Sequence, residues 1–496
     1  MVESTGPQRE GHVEHLNLSD LLADVAAEGP EGLAAAVTGI AYRSDEVRPG
    51  DAFFCVTGLV RDGHDFAADA AGRGATAIVV AHRVGGLSVP QVVVPNVRVA
   101  LALASARFFG EPSKDLRVVG ITGTNGKTTT TYLLDSILRF AGHVTGVIGT
   151  IGTRVADIEE SAARTTPESR DLQRLLARMR DAGVDTVSME VSSHAIDLHR
   201  VDGVRFAVAA FTNLTQDHLD YHGSLEEYLA VKTRLLESVP AECRVIDIDG
   251  TAGRGMAERL GARWTVGLSP LAIVRAEHVV LGPSHTLFRL CTPDGAADVT
   301  LPLVGDFNVS NALVAAGCAL ALGVSPDQVV QGLGAAAQVP GRLERVDEGQ
   351  SFSVLVDYAH TPDGLRKALE TARGLAAARV LVVFGCGGDR DNAKRPLMGA
   401  VAAELADVAI VTNDNPRTED PQAIVAAILL GMDGARAEVS VEPDRRAAIA
   451  QALHLAGTGD VVLLAGKGHE DYQILGEAKV RFDDREVARE ELRHLW

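Results

Sequence analysis

The chain has 496 residues, too many for one ordinary hydrophobic core, so two to four domains are expected. Its 66 acidic and 47 basic residues give a formal net charge of −19, which argues against a nucleic-acid-binding protein and against binding to anionic membranes. An anionic small-molecule substrate stays open, because a local cluster of Arg and Lys can hold phosphate inside an acidic protein.

The five cysteines are scattered along the chain and include no Cys-x-x-Cys pair. This usage predicts reduced thiols in the cytoplasm, and neither a disulfide framework nor a zinc site. The N-terminal segment lacks the basic-then-apolar order of a signal peptide, and no apolar run approaches the length that crosses a bilayer. We therefore expect a cytoplasmic protein without membrane insertion.

Strand-like and helix-like segments alternate in three stretches. The first covers about residues 16–109 and is followed by a polar linker segment broken by Pro112. The second contains apolar strands at 116–122, 186–190 and 208–213, and the third contains strands at 354–357, 379–385, 408–412 and 460–466. This alternation predicts an α/β protein of three domains, residues 1–112, 113–338 and 339–496, with a mostly parallel sheet in the central one.

A glycine-rich turn, Gly120-Ile-Thr-Gly-Thr-Asn-Gly-Lys-Thr-Thr, follows the strand at 116–122 and precedes a helical pattern that Gly142 is expected to end. This is the context of a phosphate-binding P-loop, in which Lys127 can reach the terminal phosphates and Thr128 can bind Mg²⁺. A strict G-x-x-x-x-G-K-T pattern needs glycine where this chain has Ile121, so the loop is a variant. The alternative is a glycine-rich turn with an incidental lysine, and the loop alone does not separate kinase, GTPase and ligase.

Further motifs follow in order towards the C-terminus. They are Glu190-Val-Ser-Ser-His, Thr212-Asn-Leu-Thr-Gln-Asp-His, Tyr228-Leu-Ala-Val-Lys, Gly305-Asp-Phe-Asn, Pro340-Gly-Arg-Leu-Glu, Asp357-Tyr-Ala-His-Thr-Pro, Gly385-Cys-Gly-Gly-Asp-Arg, Asp414-Asn-Pro-Arg and Gly466-Lys-Gly-His-Glu. With the Gly123-Thr-Asn-Gly-Lys-Thr loop, this series resembles the Mur ligases and, within them, the muramoyl-tripeptide synthetases.

The resemblance implies a small N-terminal α/β domain for a uridine nucleotide, a central P-loop ATPase domain and a C-terminal Rossmann-like domain for an amino acid. The implied enzyme is an ATP-dependent acid–amino-acid ligase. It adds meso-diaminopimelate to UDP-N-acetylmuramoyl-L-alanyl-D-glutamate through an acyl phosphate, in peptidoglycan precursor synthesis. We expect a monomer whose partners are these small molecules, with ATP as co-substrate, Mg²⁺ as cofactor and no nucleic acid.

The same resemblance implies catalytic and metal-binding residues. Lys127 would act on the phosphates, and the Mg²⁺ ligands would be Thr128, Glu190, His218 and the carbamylated Lys232. Taken alone, His218 would be a surface histidine near a turn and Lys232 a solvated helix residue. The implied ATP-binding set is Gly123, Thr124, Asn125, Gly126, Lys127, Thr128, Thr129, Asn308, Arg342, Asp357 and His360.

Two further sets concern the other substrates. For the muramoyl dipeptide they are Ser44, Thr165, Thr166, Ser192 and Arg200. The chain departs from the family there, with Arg43-Ser44-Asp45 in place of Asp-Ser-Arg and Leu198 in place of a glutamine. For diaminopimelate the residues are Arg390, Asp414, Asn415, Arg417, Gly466 and Glu470.

The amino-acid specificity depends mainly on Arg417. Diaminopimelate carries a second carboxylate that lysine lacks, and the planar fork of arginine pairs with a carboxylate bidentately. Relatives that add lysine, D-alanyl-D-alanine or glutamate to folate remain alternatives, which Arg417 and the Gly466-Lys-Gly-His-Glu motif disfavour. A nucleotide switch is disfavoured because the chain has no N-K-x-D motif, and a dinucleotide fingerprint would need glycine where Arg390 stands.

Overall fold

The computed structural model describes residues 16–58, 60–162 and 164–495. Three sheets of four, eleven and six strands follow one another along the chain, each with helices packed on its faces. The α/β class and the alternation of strands and helices predicted from the sequence are confirmed.

The first sheet is parallel, in the order β3-β4-β5-β6. One apolar cluster around Leu18, Phe54 and Leu101 covers one face, and another around Phe53, Ala67 and Ile78 covers the other. The strands here are β1 (Leu16–Asn17), β2 (Ala36–Val37), β3 (Gly39–Ala41), β4 (Asp51–Phe54), β5 (Ala77–Val80) and β6 (Gln91–Val93). The helices are α1 (Leu18–Leu21), α2 (Pro30–Leu33), α3 (Ala67–Gly72) and α4 (Val97–Phe108), with 3-10 turns at Ser44–Glu46, Gly63–Phe66 and Pro112–Lys114.

The central sheet has the order β10-β9-β8-β11-β7-β12-β13-β14-β15-β16-β17. Its strands are β7 (Arg117–Thr122), β8 (Thr145–Ile148), β9 (Thr153–Val155), β10 (Ile158–Glu160), β11 (Thr186–Glu190), β12 (Phe206–Phe211), β13 (Arg244–Asp247), β14 (Trp264–Gly267), β15 (Val274–Leu281), β16 (Thr286–Thr292) and β17 (Gly295–Leu301). Its helices are α5 (Lys127–Phe140), α6 (Ser169–Asp181), α7 (Ser193–Asp197), α8 (Leu219–His222), α9 (Leu225–Glu237), α10 (Thr251–Leu260), α11 (Asp306–Ala321) and α12 (Pro326–Gly334), with a 3-10 turn at Ala241–Cys243.

The parallel pairing of β7 with both β11 and β12 positions the P-loop. Glu190, the last residue of β11, pairs with Ile121, and Phe211, the last residue of β12, pairs with Thr122. Because parallel strands end at one edge of a sheet, the loops after all three strands meet there, the position at which α/β sheets bind ligands. The sheet is parallel in this middle part, as predicted, while hairpins β8-β9-β10 and β15-β16-β17 add antiparallel edges.

The third sheet has the order β18-β19-β23-β20-β21-β22 and is parallel except for β18. The strands are β18 (Glu344–Val346), β19 (Ser353–Asp357), β20 (Val380–Phe384), β21 (Val408–Val411), β22 (Glu438–Val441), β23 (Val461–Ala465), β24 (Tyr472–Leu475) and β25 (Ala478–Arg481). The helices are α13 (Pro362–Leu375), α14 (Lys394–Leu405), α15 (Pro421–Leu429), α16 (Arg445–Leu455) and α17 (Asp484–His494), with a 3-10 turn at Leu430–Met432.

Local signals explain where several of these elements begin and end. Helix α5 ends at Phe140, and Gly142 follows with a φ of 90°, as the sequence predicted. The linker predicted at Pro112 forms a 3-10 turn in which Pro112 and Ser113 are buried. In the part of the chain that the structure describes, no helix is long and apolar enough to cross a membrane.

One buried ion pair joins the last two helices. Arg445 in α16 donates to both carboxylate oxygens of Asp484 in α17, at 2.8 and 2.6 Å, and both side chains are fully buried. The same guanidinium donates to the carbonyl of Ala465, the last residue of the central strand β23. This pair therefore fixes α16 and α17 to the end of the strand that precedes Gly466.

We expect Asp484→Ala to lower the free energy of unfolding of the C-terminal domain by about 3–5 kcal/mol, because it leaves the Arg445 cation buried without its partner. Arg446→Ala is the matched control: its pairs with Glu490 and Glu491 lie at the surface, so its loss should cost at most about 1 kcal/mol. Chemical denaturation followed by far-UV circular dichroism measures both. Equal losses of unfolding free energy in the two variants would show that the buried ion pair stabilises the domain no more than the surface pairs do.

Candidate active site

The P-loop connects β7 to α5 in a conformation that requires glycine at two positions. Gly126 precedes α5 with a φ of 87°, and Gly123 has a φ of 148°. A Cβ atom on Gly126 would lie 2.2 Å from Asn311 Oδ1, and one on Gly123 would lie 1.9 Å from Thr212 Oγ1. The loop therefore leaves no space for side chains there, and its backbone turns towards the N-terminus of α5, where an anion is favoured.

The segment after β12 holds this loop in place. Asn213 Oδ1 accepts from the backbone N–H of Asn125 at 2.9 Å, and the Thr212 hydroxyl donates to the carbonyl of Asn125 at 2.6 Å. The Thr124 hydroxyl donates to the Thr215 carbonyl at 3.2 Å and accepts from the Thr215 backbone N–H at 3.0 Å. These hydrogen bonds use the Thr124 hydroxyl and the Asn125 backbone, and they hold the loop in its conformation.

Lys127 folds back over the P-loop. Its Nζ donates to the carbonyls of Gly123 and Thr124, at 3.0 and 2.9 Å. Burial lowers the pKa of this lysine, while the carboxylates of Glu190 and Asp217 act to raise it. The ammonium group therefore sits at the loop without a carboxylate hydrogen-bonded to it among the described residues, which leaves it able to pair with phosphate.

Glu190 is a buried carboxylate surrounded by donors. Its Oε2 accepts from the hydroxyls of Thr128 and Thr150, at 2.9 and 3.0 Å, and its Oε1 accepts from the backbone N–H of Thr150 at 2.8 Å. Thr128 and Glu190, two of the predicted metal ligands, are therefore in direct contact. Hydroxyl and carboxylate oxygens are the donors that Mg²⁺ prefers, so this pair fits the ion.

The other two predicted metal ligands, Lys232 and His218, both lie near the ring of Tyr228. Lys232 is buried, donates from Nζ to the carbonyl of Gly123 at 2.8 Å, and lies 4.2 Å from the centre of the Tyr228 ring. His218 is exposed and lies edge-on to the same ring at 6.5 Å, with its Nε2 3.5 Å from Asp217 Oδ2. Within the described residues, no three His, Cys, Asp or Glu side chains come together as a metal site. Thr128 and Lys232 are not of these residue types, so the set of four ligands stays a prediction.

Lys232 is buried, whereas a solvated helix position would be exposed. Burial lowers its pKa well below the ordinary value, and the nearby Lys127 cation lowers it further. The surface interpretation of Lys232 is therefore wrong.

The C-terminal domain contributes directly to the P-loop. Arg342 donates to the Thr128 hydroxyl at 3.1 Å and its guanidinium lies 5.0 Å from the centre of the Tyr358 ring. Asp363, at the start of α13, accepts from the Asn125 side chain at 3.1 Å. Two domains are therefore in contact around the predicted phosphate position.

The remaining predicted ATP residues surround these contacts. Burial raises the pKa of Asp357 to about 6, and the Arg342 cation opposes this shift. His360 hydrogen-bonds through Nδ1 to the carbonyl of Tyr358 at 2.8 Å, and burial lowers its pKa. Asn308 is buried at the start of α11, where it donates to the Val304 carbonyl and accepts from Asn311, and Thr129 is buried in the first turn of α5.

Four of the five residues predicted for the muramoyl dipeptide lie together beside Glu190. The hydroxyl of Thr166 donates to the Glu190 carbonyl at 2.9 Å and accepts from the Ser192 backbone at 3.1 Å. Arg200 donates to the Thr166 carbonyl at 3.2 Å, and the Thr165 hydroxyl is 3.0 Å from that of Thr150. Ser44 lies apart from this group, in a 3-10 turn of the N-terminal domain, where its hydrogen bond lowers the pKa of the Asp69 carboxyl.

The residues predicted for diaminopimelate form a pocket at the ends of β20, β21 and β23. Arg417 donates through Nη1 to the carbonyl of Gly388 at 2.8 Å, and its own backbone pairs with Ile474. Asn415 donates to Glu470 at 3.0 Å, and Asp414 is buried beside Gly466. Arg390 lies at the rim, exposed, with a 3.5 Å contact to the Asp389 carbonyl.

The pocket also contains a lysine that was not predicted. Lys467 is fully buried, and its Nζ lies 3.4 Å from Asn415 Oδ1, 3.5 Å from Glu470 Oε2 and 3.6 Å from Asp414 Oδ1. Burial and the Asp414 charge raise the pKa of Glu470, while Lys467 opposes that rise. One buried cation therefore faces two carboxylates, in a pocket that also contains the Arg417 guanidinium.

Sequence reasoning missed several other contacts. Neither Asp363 nor Thr150 belongs to a sequence pattern that would indicate its contact with Asn125 or with Glu190. Arg395 and Glu419 form a bidentate pair at 2.6 and 2.7 Å that joins the loops carrying Arg390 and Arg417. A buried arginine beside a surface glutamate is not recognisable before the two loops are folded together.

Comparisons with known proteins agree with this geometry. Three family models match in order: "Mur ligase family, catalytic domain" over residues 36–108, "Mur ligase middle domain" over 121–319 and "Mur ligase, glutamate ligase domain" over 341–468. Two similar curated proteins are both named UDP-N-acetylmuramoyl-L-alanyl-D-glutamate--2,6-diaminopimelate ligase. The one from Geobacillus thermodenitrificans is 47% identical over 461 residues, covering 91% of this chain and 94% of its own length. The one from Solibacter usitatus is 47% identical over 489 residues, covering 96% and 98%.

A solved structure with the same protein name superposes with a TM-score of 0.70 at 30% identity, covering 97% of this chain and 99% of the other. Three consecutive family matches and near-complete coverage at this identity leave one conclusion. The chain belongs to the Mur ligase family.

Proposed function

We propose that this protein uses ATP to join meso-diaminopimelate to UDP-N-acetylmuramoyl-L-alanyl-D-glutamate. The observation that carries the proposal is the Arg417 pocket, which lies in the domain whose Arg342 and Asp363 contact the P-loop. A site for an amino acid is thereby joined to a site for phosphoryl transfer. The names of the two 47% identical relatives support the same substrates.

The first step activates the acceptor. An oxygen of the D-glutamyl side-chain carboxylate attacks the γ-phosphorus of ATP, the bond to the bridging oxygen breaks, and ADP leaves with that electron pair. Lys127 and Arg342, both at the P-loop, would offset the negative charge on the phosphates. Thr128 and Glu190 would hold Mg²⁺, which when bound neutralises further phosphate charge.

Lys232 would assist as a carbamate. Burial lowers the pKa of Lys232, which favours the uncharged amine, and the amine can add to carbon dioxide. One N–C bond forms and the nitrogen gives up one proton, so the neutral amine becomes a carboxylate; a lysine that starts as the ammonium ion first loses a further proton. That change would supply an oxygen ligand next to the Gly123 carbonyl, where Nζ now donates a hydrogen bond.

The second step forms the amide. The amine of the amino acid attacks the acyl carbon, inorganic phosphate leaves, and the nitrogen gives up a proton. The carboxylates of Asp414 and Glu470 would favour the ammonium group at the distal centre of diaminopimelate, and Arg417 would pair with the carboxylate there. Because its Nη1 is anchored on the Gly388 carbonyl, the rest of the guanidinium is held in a fixed orientation.

An amino-acid panel tests the function directly. With ATP, Mg²⁺ and the muramoyl dipeptide present, ADP release should require the amino acid and should be fastest with meso-diaminopimelate. Faster release with lysine, with D-alanyl-D-alanine or with glutamate on a folate acceptor would assign the chain to another Mur ligase or to a folylpolyglutamate-synthetase-like activity. ADP release without any acceptor would contradict ligation.

We expect Lys232→Ala to lose most ligase activity and to recover part of it when acetate or formate is added, because the proposed role needs a carboxylate. Lys114→Ala, which removes an exposed lysine, should keep full activity and show no response to acetate. The measurement is ADP release against carboxylate concentration. An unchanged rate in Lys232→Ala would end the carbamate proposal.

We expect Arg417→Ala to raise the KM for diaminopimelate about ten- to a hundred-fold, since losing a hydrogen bond to a charged group costs roughly 1.5–3 kcal/mol. The KM values for ATP and the muramoyl dipeptide should stay near those of the wild type. Lysine has no distal carboxylate, so its low kcat/KM should change little and the preference for diaminopimelate should narrow. Arg366→Ala, which removes an exposed ion pair with Glu404, is the control. An equal fall in kcat/KM for both amino acids would indicate a general loss of loop structure.

A further inference from the structure

Three arginines surround one buried carboxylate where the N-terminal and central domains meet. Glu168, with 9% of its side chain exposed, lies 2.6 Å from Arg164 Nη1, 3.0 Å from Arg200 Nε and 3.4 Å from Arg98 Nη1. Arg98 comes from α4, whereas Arg164, Glu168 and Arg200 come from the central domain. We call these four residues the arginine cluster.

The charges in the arginine cluster do not balance. Three guanidinium groups face one carboxylate, an excess of two positive charges in a chain whose formal net charge is −19. The imbalance is felt inside the cluster, because burial and then the neighbouring Arg164 and Arg98 lower the pKa of Arg200 against the opposing effect of Glu168. A second anion would relieve this repulsion.

The arginine cluster is also accessible from the active site. Arg164 has 54% of its side chain exposed, and its single hydrogen bond within the described part of the chain goes to Glu168. Its neighbours in sequence are Thr165, 3.0 Å from the Thr150 hydroxyl, and Thr166, which donates to the Glu190 carbonyl. Arg164 is therefore one residue from Thr165, whose hydroxyl contacts the Thr150 hydroxyl beside the Glu190 carboxylate.

We propose that Arg98 and Arg164 act with Arg200 to bind the α-carboxylate of the D-glutamyl residue, the acceptor carboxylate that does not react. This inference rests on the proposed function. D-Glutamate has two carboxylates three carbons apart, and only the side-chain one becomes the acyl phosphate. With that group beside Thr128 and Glu190, the other is a charged group a few bonds away. Arg342 lies on the P-loop side at Thr128, and the guanidinium groups on the Thr166 side are those of the arginine cluster.

Arg98 gives the proposal a consequence for the domains. Its Nε and Nη2 donate to the carbonyl of Thr57 in the N-terminal domain, at 3.2 and 3.0 Å, and its Nη1 reaches the carbonyl of Leu198 at 3.5 Å. Leu198 is the position where some relatives carry a glutamine. An anion bound by Arg98 and Arg200 together would hold the N-terminal domain against the central one, so acceptor binding and domain position would be coupled.

The acceptor diphosphate is the other anion that could use this chemistry. It is separated from the glutamate by the muramoyl sugar and the alanine, and glutamate is the part that must reach Glu190. The carboxylate is therefore the better match to a cluster that adjoins Thr166.

The test uses Arg164→Gln, because this side chain is half-exposed and its loss should leave the fold intact. We expect the KM for UDP-N-acetylmuramoyl-L-alanyl-D-glutamate to rise about tenfold, the size expected for one lost hydrogen bond to a charged group. The KM values for ATP and diaminopimelate should not change, and Arg164→Lys should recover part of the loss. Arg98→Gln should act in the same direction. Arg174→Gln, a half-exposed arginine of α6 paired with Asp171, is the matched control and should have no effect.

Two modified acceptors decide which anion is bound. With the α-carboxylate converted to an amide, the wild type should bind about tenfold more weakly and Arg164→Gln should cause no further loss. An equal fold loss with the amide and with the natural acceptor would overturn the proposal. So would a loss that disappears with an acceptor lacking the uridine diphosphate, which would assign the cluster to the diphosphate.

Calorimetric titration of the same acceptors, without ATP or amino acid, separates this inference from the proposed function. If the wild type binds the natural acceptor more tightly than the amide but does not ligate diaminopimelate, the proposed function fails and the arginine cluster stands. If the wild type ligates diaminopimelate while Arg164→Gln binds both acceptors as tightly as the wild type, the proposed role of the arginine cluster is wrong and the proposed function is supported.

Discussion

The hydrogen bond between Thr128 and the buried Glu190 is the contact on which the rest of the active site depends. It forms because β7 and β11 are parallel neighbours whose carboxyl ends are in register, so that the P-loop and the Glu190 carboxylate leave the sheet side by side. Arg342 from the C-terminal domain donates to the same Thr128 hydroxyl. Thr166, in the predicted acceptor channel, donates to the Glu190 carbonyl. The residues that we propose for phosphate and for the acceptor are thereby connected through two adjacent strands.

Charge is distributed unevenly around this point. The protein as a whole is strongly acidic, yet Lys127, Lys232 and Arg342 gather at the P-loop and three arginines gather on Glu168. Burial lowers the pKa values of Lys127, Lys232 and Arg200, and neighbouring cations lower them further. In the pocket with Arg417, Lys467 faces the carboxylates of Asp414 and Glu470. An acidic surface and locally cationic sites suit substrates that are anionic at one end and zwitterionic at the other.

The contacts between domains are few and polar around the site. Asn125 meets Asp363, Thr128 meets Arg342, and Arg98 meets Glu168. Each joins residues that we propose to bind a different substrate or to lie beside one. Polar contacts of this kind are individually weak in water, because each replaces hydrogen bonds to solvent.

The sequence by itself determined the α/β class, the variant P-loop and the family, because these depend on local patterns. A strand, a glycine turn and a helix are encoded within about thirty neighbouring residues, and Gly126 and Gly142 occupy the backbone conformations that the turn and the helix end require. That Arg417 binds a carboxylate of the amino acid stays a prediction, based on the resemblance together with the planar fork of arginine.

Only the tertiary structure decided which side chains meet. Thr128 and Arg342 are 214 positions apart and Asn125 and Asp363 are 238 apart, so their contacts depend on domain packing that no local pattern encodes. The burial of Lys232 was likewise invisible in a helix segment that reads as solvated. Arg98 and Arg164 look like ordinary surface arginines along the chain, and they form a cluster with Arg200 only when α4 packs beside the segment that carries Glu168. The physical reason is that electrostatic excess is a property of positions in space, and sheet register and domain contact fix those positions.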